Sequence, residues 1–177
     1  WLLAKYGYNK NNLPILAINN STHLFISEKE DLEYNNELST SMVETVIENF
    51  EKENMFPSLK SELPQPDDNG IINYVGTSLI KAINEPTNEF LLLVFSDDCN
   101  SCENAKTFIK KLKNNEDIKI KIGQINASKN GLPQAINLSE VPSFFFIKDS
   151  KIAEIKYETG LSASVVINFI DSPKQDL

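Results

Sequence analysis

The sequence holds two cysteines, Cys99 and Cys102, both inside the stretch LLLVFSDDCNSCENAKTFIKKL. Two thiols separated by two residues can exchange disulfides, supply half of a metal site, or do nothing. A structural zinc takes four Cys or His ligands, often as two such pairs. The chain offers two cysteines and one histidine, His23, so no metal site is expected, and His23 reads as an ordinary strand residue. Two inert thiols at a helix start remain open on spacing alone. Their position argues for reactivity, because they lie between an apolar run and a helical pattern that Cys102 opens. There Cys99 meets the unpaired N–H groups and positive end of a helix, which favour thiolate over thiol. Cys102 can then attack a mixed disulfide held on Cys99. In that chemistry Cys99 is the attacking sulfur and Cys102 the resolving one.

The flanking patterns supply the elements that such a pair needs. Phe90–Phe95 is apolar throughout, as in a central parallel strand covered on both faces. Ala105, Phe108, Ile109 and Leu112 recur at the spacing of an amphipathic helix. Ile71–Val75 reads as a short strand, followed by a helix that Thr77 caps and that runs through Asn84. Ile118, Ile120 and Ile122 alternate with lysine, a half-buried strand. Leu132–Asn137 reads as a short helical turn. Pro142 opens an apolar strand over Ser143–Ile147. Asp149-Ser150-Lys151 turns the chain, and Ala153, Ile155 and Tyr157 alternate in a further strand. A final helix is expected over Ser162–Ile170.

Residues 13–50 repeat the rear of that unit. LPILAINNSTHLFIS carries an apolar-Pro pair, a strand, a polar turn and a strand, like VPSFFFIKDSKIAEI. The helices that follow contain VIENF and VVINF, and Pro14 and Pro142 stand 128 residues apart, the period of a small domain. The first copy lacks its front half. Its helix is expected to turn Met42, Val43, Val46, Ile47 and Phe50 to an apolar side, with the acids of 28–37 and 44–53 on a solvated face. Pro57–Gly70, rich in Pro, Ser, Asp and Gly, reads as a linker.

Formal charge is −8, from 17 lysines and 25 acids, with 5 lysines against 12 acids in residues 1–70. Arginine is absent, so the bidentate phosphate reader is missing. Nucleic acid and acidic membranes are therefore not expected partners. No apolar run approaches the roughly 20 residues that span a bilayer. The 21 asparagines read as compositional bias, and a start at Trp1 reads as a processed product or a cut fragment.

A strand leading into C-x-x-C at a helix start, with Val141-Pro142 following, resembles the thioredoxin fold. More narrowly, with the linker ahead of it, the chain resembles the C-terminal part of a protein disulfide isomerase. The resemblance implies an α/β thioredoxin fold, a central mixed sheet flanked by helices, preceded by a partial thioredoxin-like domain. Residues 1–56 correspond to the rear half of a redox-inactive b′ domain, 57–70 to the linker, 71–172 to the redox-active a′ domain and 173–177 to a tail. It implies that Pro142 is cis and lies against the cysteines, where Val141 and Pro142 grip a substrate strand and keep metal away. It implies a thiol–disulfide oxidoreductase and isomerase that assists oxidative folding. Its clients are unfolded or misoxidised secretory polypeptides, and an upstream oxidase or glutathione sets its redox state. The Cys99–Cys102 disulfide stands in place of any cofactor. Lys174-Gln175-Asp176-Leu177 resembles a relaxed K-D-E-L retrieval signal, which implies the endoplasmic reticulum lumen. Asn20-Ser21-Thr22, Asn126-Ala127-Ser128 and Asn137-Leu138-Ser139 match the glycosylation pattern, one that an asparagine-rich chain produces by chance.

The active-site loop departs from the family. The usual W-C-G-H-C is here Asp98-Cys99-Asn100-Ser101-Cys102, so the positive histidine is replaced by Ser101. Asp97 and Asp98 add negative charge that opposes ionisation of Cys99. The family's buried glutamate and its lysine partner correspond to Leu93 and Gln124, which removes a buried pair whole and leaves neither member unpaired. A carboxylate that moves the proton of Cys102 goes with them, and the arginine that aids that cysteine has no counterpart. These losses lead us to expect a less oxidising site than is usual, with the Cys99 pKa raised by about one to two units. Two other functions remain open: a chaperone-like module with a weakened thioredoxin fold, and a general thioredoxin-like reductant in another compartment.

Overall fold

The computed structural model describes residues 3–19, 23–27, 38–157 and 161–171. Asn20-Ser21-Thr22, the acids of 28–37 and the tail Lys174-Gln175-Asp176-Leu177 lie outside them. Short 3₁₀ turns at Leu3–Lys5 and Lys10–Asn12 precede an antiparallel hairpin of β1 (Leu16–Asn19) and β2 (Leu24–Ser27). Helix α1 (Thr40–Glu51) follows, and Ser39 opens it by accepting the Met42 N–H at 3.3 Å. Met42 and Val46, one turn apart, pack on Leu16, Ile18 and Met55. The wide apolar side expected of α1 is only partly used: Val43 is 42% and Ile47 44% exposed. Two strands are too narrow to cover more than a single row of the helix.

The main sheet holds β3 (Ile72–Asn73), β4 (Glu89–Phe95), β5 (Lys121–Asn126), β6 (Ser143–Lys148) and β7 (Lys151–Lys156), in the order β3-β5-β4-β6-β7. β4 runs parallel to β5 and antiparallel to β6, which makes the sheet mixed. Helices α2 (Gly76–Asn84), α3 (Cys102–Lys113) and α4 (Ala163–Asp171) flank it. Strand alternation divides β4 between two apolar layers. Leu91 and Leu93 join Ala105, Ile109 and Leu112 of α3 and Val166 of α4. Phe90, Leu92 and Val94 join Leu79 and Ile83 of α2. All five residues of β4 from Phe90 to Val94 are fully buried, each worth about 1.5–3 kcal/mol relative to exposure. That anchorage is what makes the end of β4 a firm base for the cysteine loop. β6 and β7 are joined through Asp149 and Ser150, both left-handed at φ 50° and 62°, the two-residue turn that suits strand twist.

Several local expectations shift. β5 begins at Lys121, opposite Phe90; Ile118 and Ile120 pack against the core ahead of it without strand pairing. The short turn expected over Leu132–Asn137 is a single one, with the Ile136 N–H on the Pro133 carbonyl at 2.9 Å. Leu132 precedes a proline and is biased away from helical geometry, and Gly131 is already bonded to Lys60. α2 starts one residue before Thr77, with Val75 at its N-cap position. Its first N–H groups are satisfied from a distance, Gly76 by Asn130 Oδ1 and Thr77 by Ser61 Oγ. α4 runs from Ala163 to Asp171, with Ser162 Oγ accepting the Val165 N–H.

Candidate active site

β4 ends at Phe95, the chain turns through Ser96, Asp97 and Asp98, and α3 begins at Cys102. Cys99 and Cys102 are joined in a disulfide with their Cα atoms 5.4 Å apart. Cys99 is half-buried and Cys102 is 1% exposed. Access is therefore unequal, and an incoming sulfur reaches Cys99 first. Ser101 holds the N-cap position of α3 with helical torsions, φ −76° and ψ −14°, and its side chain makes no capping bond. Instead its hydroxyl lies 3.5 Å from Cys99 Sγ. The positive end of α3 thus stays uncapped by Ser101 beside the cysteine loop, and the hydroxyl is free to donate to a sulfur anion.

Cys99 Sγ also faces the Val141 carbonyl, 3.6 Å away. The Val141–Pro142 bond is cis, Pro142 is buried and Val141 half-buried. A carbonyl only accepts, so it favours the protonated thiol, whereas Ser101 and the helix end favour the anion. Asp98 and Asn100 are exposed at the rim of the loop. The fold thus gathers Cys99, Cys102, Ser101, Val141 and Pro142 at one place, with Asp98 and Asn100 around it.

Asp97 does not stand as a bare negative charge. Its Oδ1 accepts from Asn126 Nδ2 at 2.7 Å, and Lys129 Nζ lies 3.3 Å from its Oδ2. The Asn126 hydrogen bond first, then Lys129, hold its carboxyl below the usual carboxylate range. The expected opposition of Asp97 to Cys99 ionisation is blunted by these two partners. Lys106, one turn along α3 from Cys102, sits 4.3 Å over the Phe95 ring and bonds Glu103 at 2.8 Å. These groups border a polar groove of about 520 Å³ that also takes in Glu62, Tyr74 and Gln124. Burial, then the Asp67 charge, push the Tyr74 phenol up to about 12, so it remains neutral there.

Leu93 is fully buried, opposite Gln124 on β5 and Phe144 on β6. Gln124 Nε2 donates to Asn73 Oδ1 at 2.8 Å. The pair of positions is occupied by one apolar and one satisfied amide side chain. Asn126, Ser128 and Lys129 stand against the turn ahead of Cys99, and none of them stood out as functional along the chain. The signal was the run NASKN, which begins on the last residue of β5 and reads as a generic loop. Its first residue also opens a glycosylation pattern, yet Asn126 is 7% exposed and its amide nitrogen is bonded to Asp97, so the folded chain does not present it. Asn137 is exposed. Among the described residues, no group of three or more metal-ligating side chains occurs and no helix is long and apolar enough to cross a membrane.

Comparison with curated proteins finds no match. Among solved structures the chain is similar to one described as the crystal structure of the J-Trx1 fragment of ERdj5, with 18% identity and a TM-score of 0.48. The likeness covers 60% of this chain and 52% of that one, so this chain spans about half of that structure's length. The thioredoxin family model matches residues 71–172, the segment that contains the main sheet, the cysteine pair and the Val141–Pro142 bond. With more than half of its length matched, the chain belongs to the thioredoxin family.

Proposed function

We propose that the chain is a thiol–disulfide oxidoreductase and, within that class, a disulfide isomerase acting on unfolded or misoxidised secretory polypeptides. The observation that carries this reading is the asymmetry of the pair: a half-buried Cys99 bonded to a 1% exposed Cys102 at the start of α3. In the reducing direction the Cys99 thiolate attacks one sulfur of a client disulfide. A mixed disulfide forms and the other client sulfur leaves as a thiolate. Cys102 loses its proton and attacks Cys99 Sγ, so the second client sulfur leaves and the Cys99–Cys102 disulfide closes. Two electrons have then passed from the dithiol to the client, and a thiol such as glutathione restores the pair. With an upstream oxidase drawing electrons the same steps run backwards and install a disulfide. The client backbone lies along Val141 and Pro142, beside the sulfur that it must meet.

The b′-like and a′-like division is supported by order: β1, β2 and α1 follow one another as β6, β7 and α4 do. Residence in the endoplasmic reticulum lumen is supported by Lys174-Gln175-Asp176-Leu177 alone, and secretion of a chain lacking those four residues tests it. Insulin reduction by the full chain tests the enzymatic reading, with Cys99→Ser expected to abolish it. Equal rates for parent and variant favour instead a client-binding module. One observation favours that second reading: Leu93 leaves β4 without the carboxylate that would take the proton of Cys102.

A further inference from the structure

The Ser96–Asp98 turn ahead of Cys99 is fixed by the loop that follows β5. Ser128 Oγ accepts the Asp97 N–H at 3.0 Å and lies 2.7 Å from Ser96 Oγ, which accepts the Asp98 N–H at 3.4 Å. Asn126 and Lys129 take the two oxygens of Asp97. That loop is in turn held by residues 60–62, upstream of the thioredoxin unit. Lys60 Nζ donates to the Ser128 carbonyl at 3.0 Å, and the Lys60 carbonyl accepts the Gly131 N–H at 2.7 Å. Asn130, 3% exposed, is the junction. Its Oδ1 accepts the N–H groups of Glu62 and Gly76, and its Nδ2 donates to Glu62 Oε1 and the Asn126 carbonyl. A buried amide with each of these groups paired resists partial disruption, because any group left unmet carries its full desolvation cost.

We propose that Asn126, Ser128 and Lys129 are positioning residues for Cys99, and that Lys60 and Glu62 latch them, so that the upstream segment sets the reactivity of the attacking sulfur. The inference rests on Cys99 being that sulfur, but its readout is the thiol itself. Releasing Asp97 from Lys129 leaves a carboxylate two residues from Cys99 with less of its charge compensated, since only Asn126 and the more distant Lys106 then act on it, and this opposes thiolate formation. The other charges about the turn are Asp98 beside it, Glu103 and Lys106 on α3, Glu62 across the groove, and Glu140 ahead of Val141.

The test is the pH dependence of Cys99 alkylation by iodoacetamide in the reduced full chain, followed by mass spectrometry. Lys129 and Lys60 are exposed, so Lys129→Met and Lys60→Met keep the fold, which the urea midpoint checks. Lys129→Met is expected to raise the apparent thiol pKa and slow alkylation at pH 7 about fivefold, the equivalent of roughly 1 kcal/mol. Adding Asp97→Asn to it restores the Asp97→Asn rate. Ser128→Ala shifts the pKa in the same direction and Ser128→Thr does not. Lys60→Met produces a smaller shift without touching the turn. An unchanged pKa in both Lys129→Met and Ser128→Ala overturns the positioning role, and an unchanged pKa in both Lys60→Met and Glu62→Ala overturns the latch. Insulin turnover measured in parallel separates the two readings: a parent without turnover whose thiol still responds overturns the oxidoreductase function and leaves this coupling standing.

Discussion

Around the sulfur of Cys99, single groups decide which protonation state wins. The Ser101 hydroxyl at 3.5 Å is the donor at hand, and the Val141 carbonyl at 3.6 Å is an acceptor. A hydrogen bond to a charged group is worth about 1.5–3 kcal/mol, and one pKa unit is about 1.36 kcal/mol. Ser101→Ala is therefore expected to raise the Cys99 pKa by about one unit, read from thiolate absorbance against pH. Ser101→His places a cation there and is expected to lower the pKa and make the disulfide more oxidising, by about 30 mV for each 1.4 kcal/mol; equilibration with a glutathione buffer measures it. Asp97 gives a second expectation, on stability. Its folded pKa is lowered, so its contribution is fully present above the unfolded value of about 3.9. That contribution is lost as pH falls through the lower folded value. Asp97→Asn is expected to flatten the loss of stability with acid below about pH 4, which urea melts across that range would follow. Identical acid slopes in parent and variant would mean that the carboxylate is unpaired in solution.

Elements are where local sequence and tertiary context divide the credit. β4, α3, β6 and β7 were legible because one periodicity fits each of them: continuous apolar residues for β4 and β6, alternation for β7, and i, i+3, i+4 for the helix. The position of Cys102 at the head of α3 followed from the same pattern. The start of β5 was not legible, because Ile118 and Ile120 alternate as a strand does while β4 offers pairing only from Phe90 onward. The cap of α2 was equally hidden, since its donors meet Ser61 and Asn130, 16 and 54 residues away in the chain. The groups that hold Asp97 lie on the next parallel strand and its loop, so a reading along the chain sees only a polar run. β3 and β5 add a steric expectation. A Cβ on Gly123 would overlap the Tyr74 ring, and that ring is 8% exposed and packed 5.2 Å from the Phe90 centroid. Gly123→Ala is expected to cost about 1–3 kcal/mol, seen as a lower urea midpoint. The cost should shrink in a Tyr74→Leu background, where the overlapping atoms are gone. Equal costs in both backgrounds would show that β3 shifts to admit the methyl group.

Across the whole molecule, residues 57–70 work as a strap that bonds at several points, although their composition reads as a linker. The Ser58 N–H meets the Leu24 carbonyl of β2 at 2.7 Å, and the Ser61 N–H meets Lys5 at 2.9 Å. The Lys60 carbonyl takes the Gly131 N–H, and at the far end Asp68 pairs with Lys110 of α3 at 2.9 Å. Hairpin, strap and redox unit are thereby joined through backbone bonds. Composition could not reveal this, because Pro, Ser and Asp suit a docked irregular segment as well as a loose one. The closest approach is at Gly76, where a Cβ would overlap the Lys60 carbonyl. Backbone meets backbone there, so no side-chain rotation can relieve the overlap. Gly76→Ala is accordingly expected to lift the strap from the start of α2 and to cost about 1–3 kcal/mol. Amide exchange gives the sharper reading. Gly131 loses its acceptor on Lys60, and its exchange is expected to accelerate, as is that of Ser61, while the amides of β4 keep their protection. If Gly131 and Ser61 exchange as slowly as in the parent, the strap stays seated and α2 has moved instead. That result would sever the upstream hairpin from any influence on Cys99 through this contact.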